Sequence, residues 1–177
     1  MAHLRLAIFG TGNDDAELCR ILMREYAAFL NHSVGGQHIC VESLEKELAV
    51  LPGEYAEPAG AVLLAFAQEK PAGCIALKPL AVDGSARPGE RACEMKRLWV
   101  RPEHQGKGIG RELATSLVAL ARERRYSAMY LDTMPASMQP AYGLYRSMGF
   151  IPAERYNSNP VLRRPDELQI AFLRMEL

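Results

Sequence analysis

The chain has 177 residues, of which 49% are apolar and 24% charged, so it is long enough to form a domain with a full hydrophobic core. Twenty-one basic residues balance twenty-one acidic ones, which argues against a general electrostatic affinity for nucleic acid or an anionic membrane surface. The longest apolar run, Ala61–Ala67, is too short to span a membrane. Because no linker or repeat divides the sequence, we expect one domain over residues 1–177.

Cysteine and histidine usage predicts neither disulfides nor a metal site. The cysteines are spread along the chain without a C-x-x-C pair: Cys19, Cys40, Cys74 and Cys93. No metal-ligand spacing relates three of the histidines: His32, His38 and His104. The N-terminus lacks the long apolar core of a signal peptide. We therefore expect reduced, mostly buried thiols, no metal, and a cytoplasmic location.

The first half of the chain predicts a strand, two helices and a hairpin. His3–Phe9 alternates and then meets the turn sequence GTGN, which indicates a strand. A helix is expected from about Asp14 to Leu30, with an apolar face formed by Leu18, Ile21, Leu22 and Phe29. A shorter helix follows over Val41–Leu51. Residues 61–67 and 72–80 then read as a strand hairpin.

The middle of the chain has the pattern of a strand, a glycine turn, a helix and a second strand. The first strand, Arg91–Val100, stops before Pro102, which cannot donate to a ladder. The helix runs from about Gly108 to Arg124, and its apolar face is Ile109, Leu113, Leu117 and Leu120. The second strand covers residues 127–133.

A further helix and two strands complete the predicted elements. The helix covers residues 136–148, and the strands cover residues 150–156 and 168–176. The element order is β-α-α-β-β-β-α-β-α-β-β. Its central strand–helix–strand unit implies a parallel pair, and the flanking hairpins imply antiparallel neighbours. We expect a mixed α/β sheet with helices on both faces.

The glycine turn His104–Leu113, with the sequence HQGKGIGREL, has the composition of an anion site. Three glycines let the backbone approach a ligand closely, and the start of the following helix offers free amide groups and a positive dipole end. Lys107 and Arg111 add formal charge. The turn is not a nucleotide P-loop, because Lys107 is followed by glycine and not by serine or threonine. The arrangement suits a pyrophosphate.

Two motifs resemble those of the GNAT superfamily of N-acetyltransferases. The acetyl-CoA signature Q/R-x-x-G-x-G/A is met by Gln105, Gly108 and Gly110. A second motif, A-x-x-L-Y-x-x-x-G-F, is met by Ala141, Leu144, Tyr145, Gly149 and Phe150. The resemblance is sharpest from Cys93 to Phe150. It implies the acyl-CoA N-acyltransferase fold, a mostly antiparallel sheet whose parallel pair splays apart to admit acetyl-CoA.

The resemblance also implies a set of cofactor-binding residues. The strand residues Leu98, Trp99 and Val100 would pair their backbone with the pantetheine arm. The backbone amides of the turn would hold the pyrophosphate, with these residues as its cradle: Gln105, Gly106, Lys107, Gly108, Ile109, Gly110 and Arg111. Members of the superfamily often carry asparagine where this chain has Met138, so one cofactor contact is either missing or replaced, with Gln139 and Ser137 as the candidate replacements.

Two catalytic candidates follow from the chemistry of acyl transfer to an amine. Tyr145 is the candidate general acid, because a phenol with a pKa of about 10 can donate to the departing thiolate. The resemblance implies Glu94 as the candidate general base and the backbone N–H near Leu98 as the candidate oxyanion donor. The alternatives are a core tyrosine at 145 and, at 94, a strand-end carboxylate paired with Lys96 or Arg97. For Trp99 the main interpretation is packing against a helix, and the alternative is substrate stacking.

The expected activity is acetyl transfer from acetyl-CoA to a primary amine of a small molecule by direct attack in a ternary complex. The resemblance suggests that loops 26–40 and 156–167 form the acceptor walls; Arg163 and Arg164 would be solvated, or would pair with a substrate carboxylate. Two alternatives stay open: a different acyl-CoA as donor, or a CoA-binding sensor without turnover. A homodimer is allowed, with the apolar hairpin Ala61–Leu77 as its candidate interface.

Overall fold

A computed structural model describes residues 4–10, 14–33, 41–80, 89–157 and 169–177, with side chains described from residue 44 onward in the third range. Seven strands form one sheet in the order β1-β2-β3-β4-β5-β7-β6. Their bounds are β1 Leu4–Ile8, β2 Ala61–Ala67, β3 Lys70–Pro79, β4 Ala92–Val100, β5 Ala128–Thr133, β6 Ile151–Pro152 and β7 Ala171–Glu176. The β4–β5 pair is parallel and the other neighbouring pairs are antiparallel. The predicted mixed, mostly antiparallel sheet is confirmed.

Four α-helices cover the two faces of the sheet. Their bounds are α1 Asp15–Ser33, α2 Val41–Ala49, α3 Ile109–Glu123 and α4 Gln139–Ser147. Side chains alternate across each strand. Leu63 of β2 therefore packs with α3 and α4, whereas Leu64 packs with α1 and α2. The predicted element order, with helices on both faces, is confirmed.

The apolar face of α1 differs from the predicted one. Leu22 is buried as predicted, but Ile21 and Phe29 are 41% and 37% exposed, and the rest of the buried face is formed by Cys19, Met23, Ala27 and Leu30. The prediction followed the larger side chains, but α1 approaches the sheet through small residues as well. For α3 the prediction holds at Ile109, Leu113 and Leu117, after which Ala121 continues the buried stripe and Leu120 is partly exposed.

The strand predicted over residues 150–156 is only two residues long in the structure, Ile151–Pro152. Pro152 has no N–H to donate, which limits the ladder at this edge of the sheet. After it, the Ala153 N–H donates to the Phe172 carbonyl at 2.9 Å, and the backbone then leaves the sheet. This departure brings Tyr156 onto the sheet face, where it is buried.

The hairpin proposed as a dimer interface is interior to the chain, so this part of the prediction is wrong. β2 and β3 lie between β1 and β4, and helices cover them on both faces. Val62, Leu63, Leu64 and Ile75 are all buried within one chain. Homodimerisation stays a prediction, without this face to support it.

The described residues bear on the cysteine, metal and membrane expectations. Cys19, Cys74 and Cys93 are free and buried, whereas Cys40 lies outside the described residues. In the described ranges, no three His, Cys, Asp or Glu side chains come together as a metal site. None of the helices in these ranges combines the length and apolarity needed to cross a bilayer.

The parallel pair at the centre of the sheet separates into a fork. β4 and β5 pair at three positions, ending at Glu94 opposite Tyr130. Both strands continue beyond that point, β4 to Val100 and β5 to Thr133. Among the residues that the structure describes, the edge of β4 after Glu94 therefore has no strand partner on the β5 side. This fork is the feature that positions the candidate site.

Candidate active site

A β-bulge interrupts β4 beside the fork. Cys74 of β3 is opposite Trp99 and Ala76 is opposite Lys96, so two steps along β3 match three along β4. The extra residue lies at Arg97–Leu98, and Arg97 has a left-handed φ of 58°. Bulges re-aim backbone groups and are frequent beside active sites.

The bulge directs the Leu98 amide away from β3. The thiol of Cys74, which packs on the α1–α2 face, donates to the Arg97 carbonyl with an Sγ–O distance of 3.5 Å. The Arg97 C=O and the Leu98 N–H belong to the same trans peptide and point in opposite directions. The Leu98 N–H therefore points away from the Cys74 thiol, and Leu98 is one of the residues that line the adjacent cavity. This N–H is the donor that the sequence predicted for an oxyanion.

A buried ion pair holds the bulge in place. Arg97 donates twice to Glu47 of α2, at 3.1 Å to Oε1 and 2.7 Å to Oε2. The Tyr55 hydroxyl also donates to Glu47 Oε1 at 2.7 Å. Burial raises the pKa of Glu47, but the hydrogen bonds and charge of Arg97 outweigh burial and hold that pKa below its usual value. This pair accounts for the left-handed Arg97, which the sequence did not reveal.

A second anchor binds the end of β4 to α1. The Trp99 indole N–H donates to Glu25 Oε2 at 3.1 Å, and Arg101 donates to both oxygens of the same carboxylate. The Trp99 ring contacts Phe29 and Tyr26, with centroid separations of 5.3 and 6.4 Å. The Trp99 side chain thus packs against a helix, as the main interpretation predicted.

The glycine turn has the open, left-handed geometry of an anion cradle. Gly106 and Gly108 have φ of 71° and 85°, and a Cβ built on either would meet no atom within 4 Å. Gly108 is the N-cap residue of α3, and no side chain caps this end. The first amides of α3 therefore face open space at the positive end of the helix dipole.

The polar side chains of the turn make local contacts. Gln105 donates to the Val100 carbonyl at 2.9 Å, which ties the turn to β4. Lys107 donates to the Glu103 carbonyl at 2.7 Å, and Arg111 donates to the Ser147 hydroxyl at 2.8 Å. Arg111 lines the adjacent cavity, whereas Lys107 is not among its lining residues.

A cavity of about 530 Å³ lies beside the end of β4, where it is bounded by the glycine turn, the start of α3 and the start of α4. It brings together nine of the ten residues predicted to bind cofactor: Leu98, Trp99, Val100, Gln105, Gly106, Gly108, Ile109, Gly110 and Arg111. The start of α4 adds Ser137, Met138 and Ala141, and α1 adds Phe29. Phe29 falls within the segment 26–40 that was predicted as an acceptor wall, although the helical pattern also assigned it to the apolar face of α1.

Tyr145 lies on α4, directly after the cavity-lining Leu144. It is 6% exposed, and its ring contacts Phe150 edge-on at 5.9 Å. Burial raises the pKa of Tyr145, and the charges of Tyr26 and Asp132 add to the effect. Its hydroxyl makes no hydrogen bond to the residues that the structure describes. Tyr145 is therefore a protonated phenol with an uncommitted donor.

Glu94 is buried at the point where β4 and β5 separate. Its side chain is 4% exposed, and Lys96 Nζ lies 3.4 Å from Oε1. The Tyr156 hydroxyl donates to the same Oε1 at 2.7 Å. The predicted alternative of a Lys96 contact is thus present, and Arg97 instead pairs with Glu47.

Asp132 of β5 links the two catalytic candidates electrostatically. Its charge raises the pKa of Tyr145, and it also raises the pKa of Tyr156, which is bonded to Glu94. Asp132 accepts a hydrogen bond from Asn157 at 3.0 Å. The sequence predicted loop 156–167 as an acceptor wall; Tyr156 and Asn157 are described, whereas residues 158–168, with Arg163 and Arg164, lie outside the described residues. The roles of Tyr145 and Glu94 stay predictions.

Comparison with known proteins connects this geometry to a family. The family model described as acetyltransferase (GNAT) family matches residues 17–150. An N-acetyltransferase of Schizosaccharomyces pombe is 32% identical over 164 residues, covering 92% of this chain and 89% of its own length.

Solved structures share the fold. An acetyltransferase of the GNAT family from Staphylococcus aureus superposes with a TM-score of 0.73 at 15% identity, covering 99% of each chain. A GNAT family acetyltransferase from Elizabethkingia anophelis, solved with acetyl-CoA bound, gives 0.62 at 18% identity and covers 98% of each chain. The chain belongs to the GNAT acetyltransferase family, and it is an N-acetyltransferase with acetyl-CoA as its co-substrate.

Proposed function

We propose that this enzyme acetylates a primary amine of a small molecule by direct attack within a ternary complex. The observation that carries the proposal is the fork between β4 and β5. Beside the end of β4 lies a cavity lined by Leu98 and a glycine cradle. At the base of the fork lies the buried Glu94.

The cavity residues fit coenzyme A. The unobstructed backbone at Gly106 and Gly108 and the uncapped start of α3 suit the pyrophosphate, and Arg111 adds a positive charge. The unpaired edge of β4 at Leu98–Val100 suits the amide groups of the pantetheine arm, as an added strand would. Met138 lines this cavity with a thioether, where superfamily members often carry the side-chain amide of asparagine.

Acetyl-CoA supplies an activated acetyl group and a thiolate leaving group. Glu94 takes the proton of the acceptor amine as the new C–N bond forms. The Leu98 N–H stabilises the negative charge that develops on the thioester oxygen. Tyr145 donates its proton to the sulfur as the C–S bond breaks. Because burial keeps its pKa high, Tyr145 holds that proton at neutral pH.

The burial of both catalytic candidates supports a small acceptor. The Glu94 side chain is 4% exposed and Tyr145 is 6% exposed, so a narrow amine reaches them more easily than a folded protein surface does. Direct attack is supported because the described cysteines are all buried: Cys19, Cys74 and Cys93. Burial also raises the pKa of all three, so none is a prepared nucleophile for an acyl-enzyme route.

The test is a panel of amines incubated with acetyl-CoA and scored by release of free CoA thiol. The panel contains amino acids, polyamines, aminoglycoside antibiotics and a peptide with a free N-terminus. We expect turnover with a member of the first three groups and initial-rate patterns of a sequential mechanism. A peptide as the best acceptor would contradict the small-molecule assignment, and ping-pong kinetics would contradict direct attack.

Substitution of Tyr145 separates an enzyme from a CoA sensor. Tyr145→Phe should lower kcat about 100-fold while leaving acetyl-CoA affinity unchanged, since a general acid acts in the transition state. Tyr142→Phe on the same helix is the matched control and should retain full rate. Thermal stabilisation by CoA without turnover of any amine would favour the sensor. A faster rate with a longer or charged acyl-CoA than with acetyl-CoA would instead identify that acyl-CoA as the preferred donor.

A further inference from the structure

Tyr156 and Lys96 approach the same oxygen of the Glu94 carboxylate. The Tyr156 hydroxyl donates to Oε1 at 2.7 Å, and Lys96 Nζ lies 3.4 Å from Oε1. Within the part of the chain that the structure describes, Oε2 receives no hydrogen bond. The two oxygens of this buried carboxylate are therefore inequivalent, one anchored and one free to accept a proton.

The Tyr156 ring is held rigidly enough to act as the anchor. Tyr156 is 3% exposed. Its ring packs against Tyr130 at a centroid separation of 4.9 Å and meets Phe172 edge-on at 5.8 Å. Aromatic packing of this kind fixes the Tyr156 ring. The hydrogen bond from its hydroxyl to Glu94 therefore costs the side chain little further conformational entropy.

The residue after Tyr156 makes an equivalent contact on the neighbouring strand. Asn157 Nδ2 donates to Asp132 Oδ2 at 3.0 Å. Glu94 belongs to β4 and Asp132 to β5, on either side of the position where the two strands separate. Two consecutive residues thus bind one acidic side chain from each arm of the fork, which fixes both carboxylates relative to the opening.

We propose that Tyr156 is a positioning residue that anchors Oε1 of Glu94, so that Oε2 is the oxygen that takes the proton from the acceptor amine. The inference rests on the proposed role of Glu94 as general base. A hydrogen bond donated to a carboxylate stabilises its charged form, so the loss of the Tyr156 hydroxyl is measurable at Glu94. Burial and the charges of Asp132 and Glu94 raise the pKa of Tyr156, so its hydroxyl stays a donor across the assay range.

Other ionisable groups share this sheet face and its neighbouring helix. They are Lys96 of β4, Glu47 of α2, Tyr130 and Asp132 of β5, and Arg174 of β7, which pairs with Glu90. Replacement of Tyr156 by phenylalanine removes none of them. A change in the titration of Glu94 in that variant therefore reports on the lost hydroxyl.

The test titrates Glu94 directly in the full chain by carbon NMR, with glutamate labelled at Cδ and the Glu94 signal assigned by its loss in Glu94→Gln. This readout needs no acceptor amine. In Tyr156→Phe the midpoint of the Glu94 signal should move up by about one pH unit. The matched control is Tyr130→Phe, which removes a hydroxyl bonded to Glu90 from the same aromatic group and should leave the midpoint in place.

Kinetics with the best amine of the panel supply a second readout. The acidic limb of kcat/KM should move upward in Tyr156→Phe, and activity should recover at higher pH, which a loss of folded protein would not produce. In case Tyr156→Phe folds poorly, 3-fluorotyrosine at position 156 keeps the ring and strengthens the donor. It should move the same midpoint downward.

Different outcomes would overturn the anchoring role of Tyr156 and the base role of Glu94. If Glu94→Gln abolishes turnover but Tyr156→Phe and 3-fluorotyrosine leave the titration and the acidic limb unchanged, the anchoring role is overturned while the base assignment stands. If Glu94→Gln retains full turnover, the base assignment is wrong and the inference is overturned with it.

Discussion

The buried pair between Arg97 and Glu47 predicts that Glu47→Gln destabilises the enzyme far more than an equivalent change on the same helix. Glu47 and Glu45 both lie on α2, and each receives two hydrogen bonds from one arginine. The pairs differ in burial. The Arg97 and Glu47 side chains are 12% and 19% exposed, whereas those of Arg24 and Glu45 are 48% and 50% exposed.

The expected loss of stability comes from the buried charge of Arg97, which Glu47→Gln leaves without a counter-charge. Glu47→Gln keeps the side-chain shape and one carbonyl acceptor, but the Arg97 guanidinium stays buried without its counter-charge. Removing one partner of a buried pair costs about 3–5 kcal/mol, and the retained acceptor favours the lower end, about 3 kcal/mol. For a chain of this size each kcal/mol lowers Tm by about 2–4 °C, so we expect a fall of about 6–12 °C.

The assay is thermal and urea unfolding of three proteins: wild type, Glu47→Gln and Glu45→Gln. Exposed ion pairs are screened by solvent, so Glu45→Gln should leave Tm unchanged within error. Equal losses in both variants would refute the reasoning, because burial would then not distinguish the pairs. An unchanged Tm in Glu47→Gln would refute it as well.

Three further predictions concern the same strand and turn. Burial raises the pKa of Glu47, yet the Arg97 contact outweighs burial and holds that pKa below 4.5. The stability advantage of the wild type over Glu47→Gln should therefore be full above pH 4.5 and decline as the pH falls through the lowered pKa. Urea unfolding of both proteins from pH 3 to 7 measures this difference. Gly108 has φ of 85°, so Gly108→Ala introduces backbone strain of about 1–2 kcal/mol and should weaken CoA binding about 10-fold in calorimetry. The control Gly143→Ala in α4 should leave CoA binding unchanged. Gly73→Ala would make its Cβ clash with the Trp99 carbonyl oxygen, so it should give little folded protein on size exclusion. A normal yield would contradict this contact.

Local signals predicted the glycine turn and the helix after it with accuracy. Gln105, Gly108 and Gly110 belong to one turn, so their spacing in sequence nearly fixes their spacing in space. The structure accordingly places all three in the cavity wall. The order of elements was also predictable, since strand and helix periods differ and prolines and glycines mark the boundaries.

Contacts between distant segments were not predictable in the same way. Glu47 and Arg97 are 50 positions apart, and Glu94 and Tyr156 are 62 apart. The sequence around the two glutamates and the tyrosine contains no local pattern that identifies their distant partners. The Arg97 bulge depends on the register between β3 and β4, which a strand pattern leaves open by one residue.

The prediction of the buried face of α1 failed for a different physical reason. Periodicity weights large apolar residues, whereas this helix buries Cys19 and Ala27 to approach the sheet closely. Phe29 is thereby displaced to the cavity wall, where it contacts Trp99. A residue that the pattern assigns to the core thus becomes part of the candidate site.

The distribution of ion pairs explains how β4 keeps its shape while one edge lacks a strand partner. An unpaired strand edge is free to bind another extended chain, but it loses the rigidity that a ladder provides. In this enzyme Glu47 of α2 holds Arg97, and Glu25 of α1 holds Trp99 and Arg101. Both anchors come from the α1–α2 side. The edge at Leu98 is thereby fixed without being covered, which is the preorganisation that a site for a pantetheine arm and a developing oxyanion requires.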